Sequence, residues 1–267
     1  MRARILSAVV LIALVLAVLV LAPAWASLAA IAVAILLSAW EWSVFLRPSG
    51  KGERVAFLAL VAVALALGWH FTTHVAVLRA VLWIAAAWWL AAFFLVLRGP
   101  SVASRSLAWI AGILVLVPAG IALMRLRVEP LHGAGWTLFV LVLVWAADTG
   151  AFFAGKAFGR HRLAPDVSPG KTWEGVAGGL LLAGATAAVA SRWLEQPVLP
   201  LVLVSLVVAV FSVVGDLTES LFKRFAGVKD SGQLIPGHGG LMDRLDSVTA
   251  AAPLLLLGLM ECLAESP

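Results

Sequence analysis

The chain has 267 residues, 63% hydrophobic and 12% charged, with a mean hydropathy of +1.06; a soluble domain averages about 45–50% apolar and about 25% charged residues. A fold of this size still exposes roughly a quarter of its unfolded-chain surface, so the apolar surplus has to face lipid, which excludes a soluble enzyme, a secreted disulfide scaffold and a disordered chain. The single cysteine, Cys262, closes no internal disulfide, and the net charge of +5 reads as lysine and arginine at a membrane surface, not as nucleic-acid binding.

A membrane-crossing helix takes about 20 mainly apolar residues. Candidate spans run over residues 5–26, 27–46, 54–69, 75–97, 106–124, 135–154, 175–194, 198–222 and 243–263. The third is short. The first carries Arg2 and Arg4 before its apolar run, and Ala24-Trp25-Ala26 imitates a signal-peptidase site, but the run is long for a signal peptide and reads as a retained helix. Lipid-exposed backbone must bond internally, and the alternation of a barrel is absent. The expected fold is therefore all-α, a polytopic integral membrane protein with about nine transmembrane helices. Fifteen Lys and Arg fall on one set of alternating connections and four on the other. The positive-inside rule places the first set, with the N-terminus and both long polar loops, in the cytosol of a cell whose inner (cytoplasmic) membrane holds the protein. No repeat or linker divides the chain. Residues 1–134 read as structural, lipid-facing helices, and 135–267 as the catalytic part with cytosolic loops 155–174 and 223–243.

The chemistry lies in that second half. All six aspartates, Asp148, Asp166, Asp216, Asp230, Asp243 and Asp246, fall in the stretches 148–174 and 216–246. Asp is the short carboxylate suited to holding a hard cation by oxygen. Asp148 follows an apolar run; it marks either a helix end or a functional site, since an acid inside a bilayer is costly unless it faces protein or water. The loop from Ser168 to Gly175 reads Ser-Pro-Gly-Lys-Thr-Trp-Glu-Gly. It lacks the first glycine of a Walker A loop, because position 165 is Pro165. What remains is a Pro-Gly turn into a helix start beside Lys171, either an anion site or a basic surface loop.

Residues 212–224 read as helix, with Asp216, Glu219, Ser220, Lys223 and Arg224 on one face. Glu219 and Lys223 are spaced for an i,i+4 ion pair; the alternative is a metal ligand with phosphate-binding cations one to two turns on. Lys229 follows, and then Pro236-Gly237-His238-Gly239-Gly240, a tight loop whose N–H groups can approach a ligand. Asp243 and Asp246 open the last helix on one face, either as first-turn acids or converging with Asp216 on a divalent ion. His238 has no second histidine near it, which argues against zinc.

The segment Ser220 to Asp246, SLFKRFAGVKDSGQLIPGHGGLMDRLD, resembles the signature of the phosphatidate cytidylyltransferase (CDP-diacylglycerol synthase) family. Every fixed position is met over these residues. The blocks Asp148 to Lys156 and Ser168 to Gly175 resemble it too, whereas the first half matches only as apolar helices. The resemblance implies transfer of CMP from CTP to phosphatidate, a membrane lipid. It also implies Mg2+ held by Asp216 and Asp243 with Asp246 and Asp148, and a second, monovalent cation such as K+. It assigns Lys223 and Arg224 to a phosphate. Ser168, Lys171 and Thr172 go to the CTP phosphates, and Lys229, His238, Gly239 and Gly240 to the loop over the nucleotide. Homodimerisation is implied as well. Rival readings are the same chemistry on an archaeal-type ether lipid, a secondary transporter, which would scatter its acids over both halves, and a non-catalytic lipid-binding protein.

Overall fold

The computed structural model describes residues 13–48, 50–234 and 239–263. Eight of the described helices are long and apolar enough to cross a membrane. They are α1 (Ala24–Trp42), α2 (Lys51–Phe71), α3 (Val75–Arg98), α4 (Arg105–Arg127), α5 (Gly133–Phe158), α6 (Trp173–Trp193), α7 (Val198–Ala226) and α8 (Met242–Gly258). The all-α polytopic architecture follows, making this a multi-pass membrane protein. A 3-10 turn, Ser43–Leu46, extends α1, and a π-helical turn, Leu259–Leu263, ends α8.

Three boundaries differ from the sequence reading. The span expected over 5–26 lies outside the described residues as far as 12; from 13 it is helical to Leu21, and after Pro23 a new helix starts. Ala24-Trp25-Ala26 therefore belongs to α1, whose first turn follows a proline fixed at φ −62°. The short third span, expected from Arg54 to Trp69, is 21 residues, because Lys51, Gly52 and Glu53 begin it and His70 and Phe71 end it. Glu53 there pairs with Arg105 at the start of α4. The third difference is in the loop at 155–174, which contains an antiparallel hairpin, β1 (Arg162–Ala164) and β2 (Ser168–Thr172), paired Arg162 to Thr172 and Ala164 to Ser168. Pro169-Gly170 is strand, not turn. The reversal is made by Pro165, Asp166 and Val167, and a proline is tolerated because a two-stranded ribbon has only edges.

Helix packing places the polar end. α4 and α8 are the most enclosed helices, and each keeps an internal proline, Pro118 and Pro253. α5 and α6, joined by the hairpin, meet backbone to backbone. A β-carbon on Gly178 would lie 2.8 Å from the Gly150 carbonyl oxygen, and one on Gly179 2.8 Å from that of Ala147. Small residues permit this approach where lipid gives helices no hydrophobic reason to associate. α6 is capped by its own strand: Thr172 Oγ1 accepts the Gly175 N–H at 3.1 Å. The antiparallel run of α5 to α8 then brings the C-terminal ends of α5 and α7, the N-terminal ends of α6 and α8, and the described residues 227–234 and 239–241 to one end of the bundle.

Candidate active site

Two lysines organise this end. Lys171, on β2, reaches across to α7 and places Nζ 2.8 Å from Asp216 Oδ2; the two side chains keep 25% and 31% of their exposure. Ser220 Oγ, one turn on, donates to Asp216 Oδ1 at 3.3 Å. Asp216 lies within electrostatic range of Asp148 on α5 and Asp246 on α8, and Lys171 within range of the same two. Asp148 is exposed. Asp246 is buried, with Oδ1 accepting the Ser247 N–H at 2.7 Å. The helices carrying Asp216 and Asp246 close up at Gly215, where a β-carbon would come within 2.6 Å of the Asp246 carbonyl oxygen.

Lys223, two turns along α7, is more enclosed. Its Nζ lies 2.6 Å from Glu219 Oε2 and 2.8 Å from Asp243 Oδ1. The i,i+4 pair read from the sequence therefore forms, but as one arm of a three-membered network. Both oxygens of Asp243 already accept protein donors: Oδ1 from Lys223, and Oδ2 from Ser231 Oγ at 3.0 Å, Ser231 N–H at 3.1 Å and Gly240 N–H at 2.8 Å. Glu219 is almost wholly buried, and its Oε1 has no hydrogen-bond partner among the described residues.

The other expected residues divide as follows. Arg224 is exposed, and its Nε donates to the Val167 carbonyl at 3.3 Å, tying α7 to the hairpin turn. Ser168 is half-buried on β2, and Thr172 serves as the α6 cap. Lys229 is exposed in the loop. Gly239 takes φ +84° beside Asp243, and Gly240 is buried. His238 lies outside the described residues.

Glu41 was missed by the sequence reading, which treated the first half as free of polar chemistry. It sits near the end of α1, is 3% exposed, and accepts the Met242 N–H at 2.8 Å. The signal was available: it is the one acid of an otherwise apolar helix, and ionisable groups in spans default to functional candidates. Around it, Trp42 packs at a tilt against Phe222 of α7, with ring centroids 5.2 Å apart. Arg47 lies over Phe225 at 4.2 Å and donates to the Phe225 carbonyl.

The donor set fits a hard cation in kind, since the surplus groups are carboxylates and one, Glu219, has an unsatisfied buried oxygen. Among the described residues, no three acidic, histidine or cysteine side chains stand together as a ready-made cage.

A family model described as the cytidylyltransferase family matches residues 2–261. The phosphatidate cytidylyltransferase of Haemophilus influenzae is 41% identical, covering 95% of this chain and 96% of its own length. That of Pseudomonas aeruginosa is 43% identical, covering 95% and 94%. The Bacillus subtilis enzyme of the same name is 41% identical over 46% of this chain and 47% of its own. Matched along nearly its whole length, the chain belongs to the cytidylyltransferase family.

Proposed function

We propose that this protein transfers CMP from CTP to phosphatidate, giving CDP-diacylglycerol and pyrophosphate. The observation that carries the reading is the near-full-length identity with phosphatidate cytidylyltransferases. The gathering of Lys171, Asp216, Lys223 and Asp243 at one end of a lipid-embedded bundle supports it. A phosphate oxygen of the lipid forms a bond to the α-phosphorus of CTP, and the bond to the departing pyrophosphate breaks. The nucleophile is already ionised and the leaving group is good, so the barrier is mainly the approach of two anions. The protein's task is to position them and to oppose their charge.

In this proposal Lys171 and the N–H groups opening α6 bind CTP phosphates, beside Ser168 and Thr172. Lys223 and Arg224 face the other phosphate. Asp216 is the principal ligand for Mg2+, with Asp246 and Asp148 in the acidic surround. Asp243, whose oxygens accept four protein donors against two on Asp216, orients Lys223 and holds Gly240. Bound magnesium would neutralise phosphate charge during transfer. The polar end faces the cytosol, where Lys156, Arg160, Arg162 and the loop lysines satisfy the positive-inside rule.

The test is direct. The purified chain in detergent is given phosphatidate and labelled CTP with Mg2+, with EDTA, and with or without K+. Labelled CDP-lipid should form only with the divalent ion. Its absence under every divalent ion tried would defeat the reading.

A further inference from the structure

α8 begins without a cap of its own. Its N-cap residue is Leu241, which has no side-chain oxygen, and among the described residues no neighbouring side chain caps it. The acceptor comes from the other end of the chain: Glu41 Oε2 takes the Met242 N–H at 2.8 Å. A carboxylate at a helix N-terminus satisfies an orphan donor and complements the positive end of the helix dipole.

Gly232 and Gly240 are both fitted to the same carboxylate. At Gly232 the three atoms nearest an added β-carbon all belong to Glu41, with Cδ at 2.6 Å and Cγ at 2.8 Å. At Gly240 a β-carbon would lie 2.6 Å from Glu41 Oε2 and 2.8 Å from the Gly232 nitrogen. Gly232 is next to Ser231, and Gly240 is itself a donor; Ser231 and Gly240 together hold Asp243. Asp243 in turn holds Lys223. A chain of direct contacts thus runs from a helix of the first half to the ammonium that faces the substrate phosphates.

We propose that Glu41 is a positioning residue for the transfer reaction, capping α8 across the fold and setting Gly232 and Gly240 so that Asp243 presents Lys223 in register. This rests on the cytidylyltransferase reading above. Glu41 touches no reacting atom. Its contribution is to kcat, because misplacing a charge-stabilising group weakens the transition state more than the ground state.

The test uses the full-length protein in detergent with CTP, phosphatidate and Mg2+, with thermal unfolding followed by tryptophan fluorescence on the same samples. Glu41→Leu keeps the bulk and loses the acceptor. Its kcat per folded molecule should fall about thirtyfold or more, with both KM values within about threefold. Glu41→Gln retains an acceptor oxygen and should stay within about fivefold of wild type. Gly232→Ala should cost about tenfold or more in the wild-type background. In Glu41→Ala the same change should cost less than about twofold, because the atoms it strikes are gone. A folded Glu41→Leu with wild-type kcat overturns the proposal, as does a Gly232→Ala penalty equal in both backgrounds. If Glu41→Leu is not recovered folded, Gly232→Ala alone decides, and a kcat within about twofold of wild type overturns it. Wild-type protein that makes no CDP-lipid would instead sink the parent reading.

Discussion

Replacing Lys223 with methionine removes one ammonium and little volume, which isolates the charge in the most enclosed part of the site. The Lys223 side chain keeps 15% of its exposure, while its partners Glu219 and Asp243 keep 0% and 9%. Asp243 would retain the Ser231 and Gly240 donors. Glu219 would retain none that the described residues supply, since its other oxygen is already unpartnered. Breaking a buried pair by removing one member leaves an uncompensated charge and costs about 3–5 kcal/mol. At roughly 2–4 °C per kcal/mol for a chain of this size, the thermal midpoint in detergent should fall by about 6 to 20 °C. Adding Glu219→Gln removes the stranded charge, so the double variant should recover at least about half of the loss. A Lys223→Met midpoint within about 2 °C of wild type, or a double variant no better than the single, would refute the picture of Lys223 as the compensator of buried acid.

Other expectations follow from the same geometry. Asp216→Asn should lower Mg2+-dependent turnover by about a hundredfold or more; initial rates titrated with Mg2+ that stay within about tenfold of wild type would remove Asp216 from the proposed ion site. Lys171→Met should cost about tenfold or more in kcat/KM for CTP, and unchanged saturation by CTP would separate the β2 lysine from the nucleotide. Gly179→Leu should lower the thermal midpoint by about 4 °C or more, because the side chain would enter the α5–α6 contact 2.8 Å from the Ala147 carbonyl oxygen; an unaltered midpoint would mean that the two helices do not meet there.

Helix existence was legible in the sequence because a lipid-facing span must be apolar along its whole length. Charged ends were harder: Lys51 and Glu53 belong to the first turn of α2, yet a hydropathy reading starts the span at Arg54. The hairpin was not legible either. Its strands are three and five residues long, too short for periodicity, and Pro-Gly within β2 imitates a turn. The face shared by Asp216, Glu219, Ser220 and Lys223 was readable from helical spacing alone. The cross-chain partners of that face were not. Lys171 lies 45 positions from Asp216 and Glu41 lies 201 from Met242, and no local pattern encodes such a contact. An acid in an apolar helix announces a partner without naming it.

The backbone-to-backbone seam between α5 and α6 bears on how the chain is built during synthesis. The two helices are consecutive, joined by a short ribbon, and need no side chain from later in the sequence to lock together. They can zip into a helical pair in the translocon as soon as Trp193 has emerged, before α7 and α8 have left the ribosome. Asp148, carried on α5, is then already in place, and the acids on α7 and α8 join it last. Biogenesis would thus finish the most charge-laden part of the molecule only after the insulating helices stand around it.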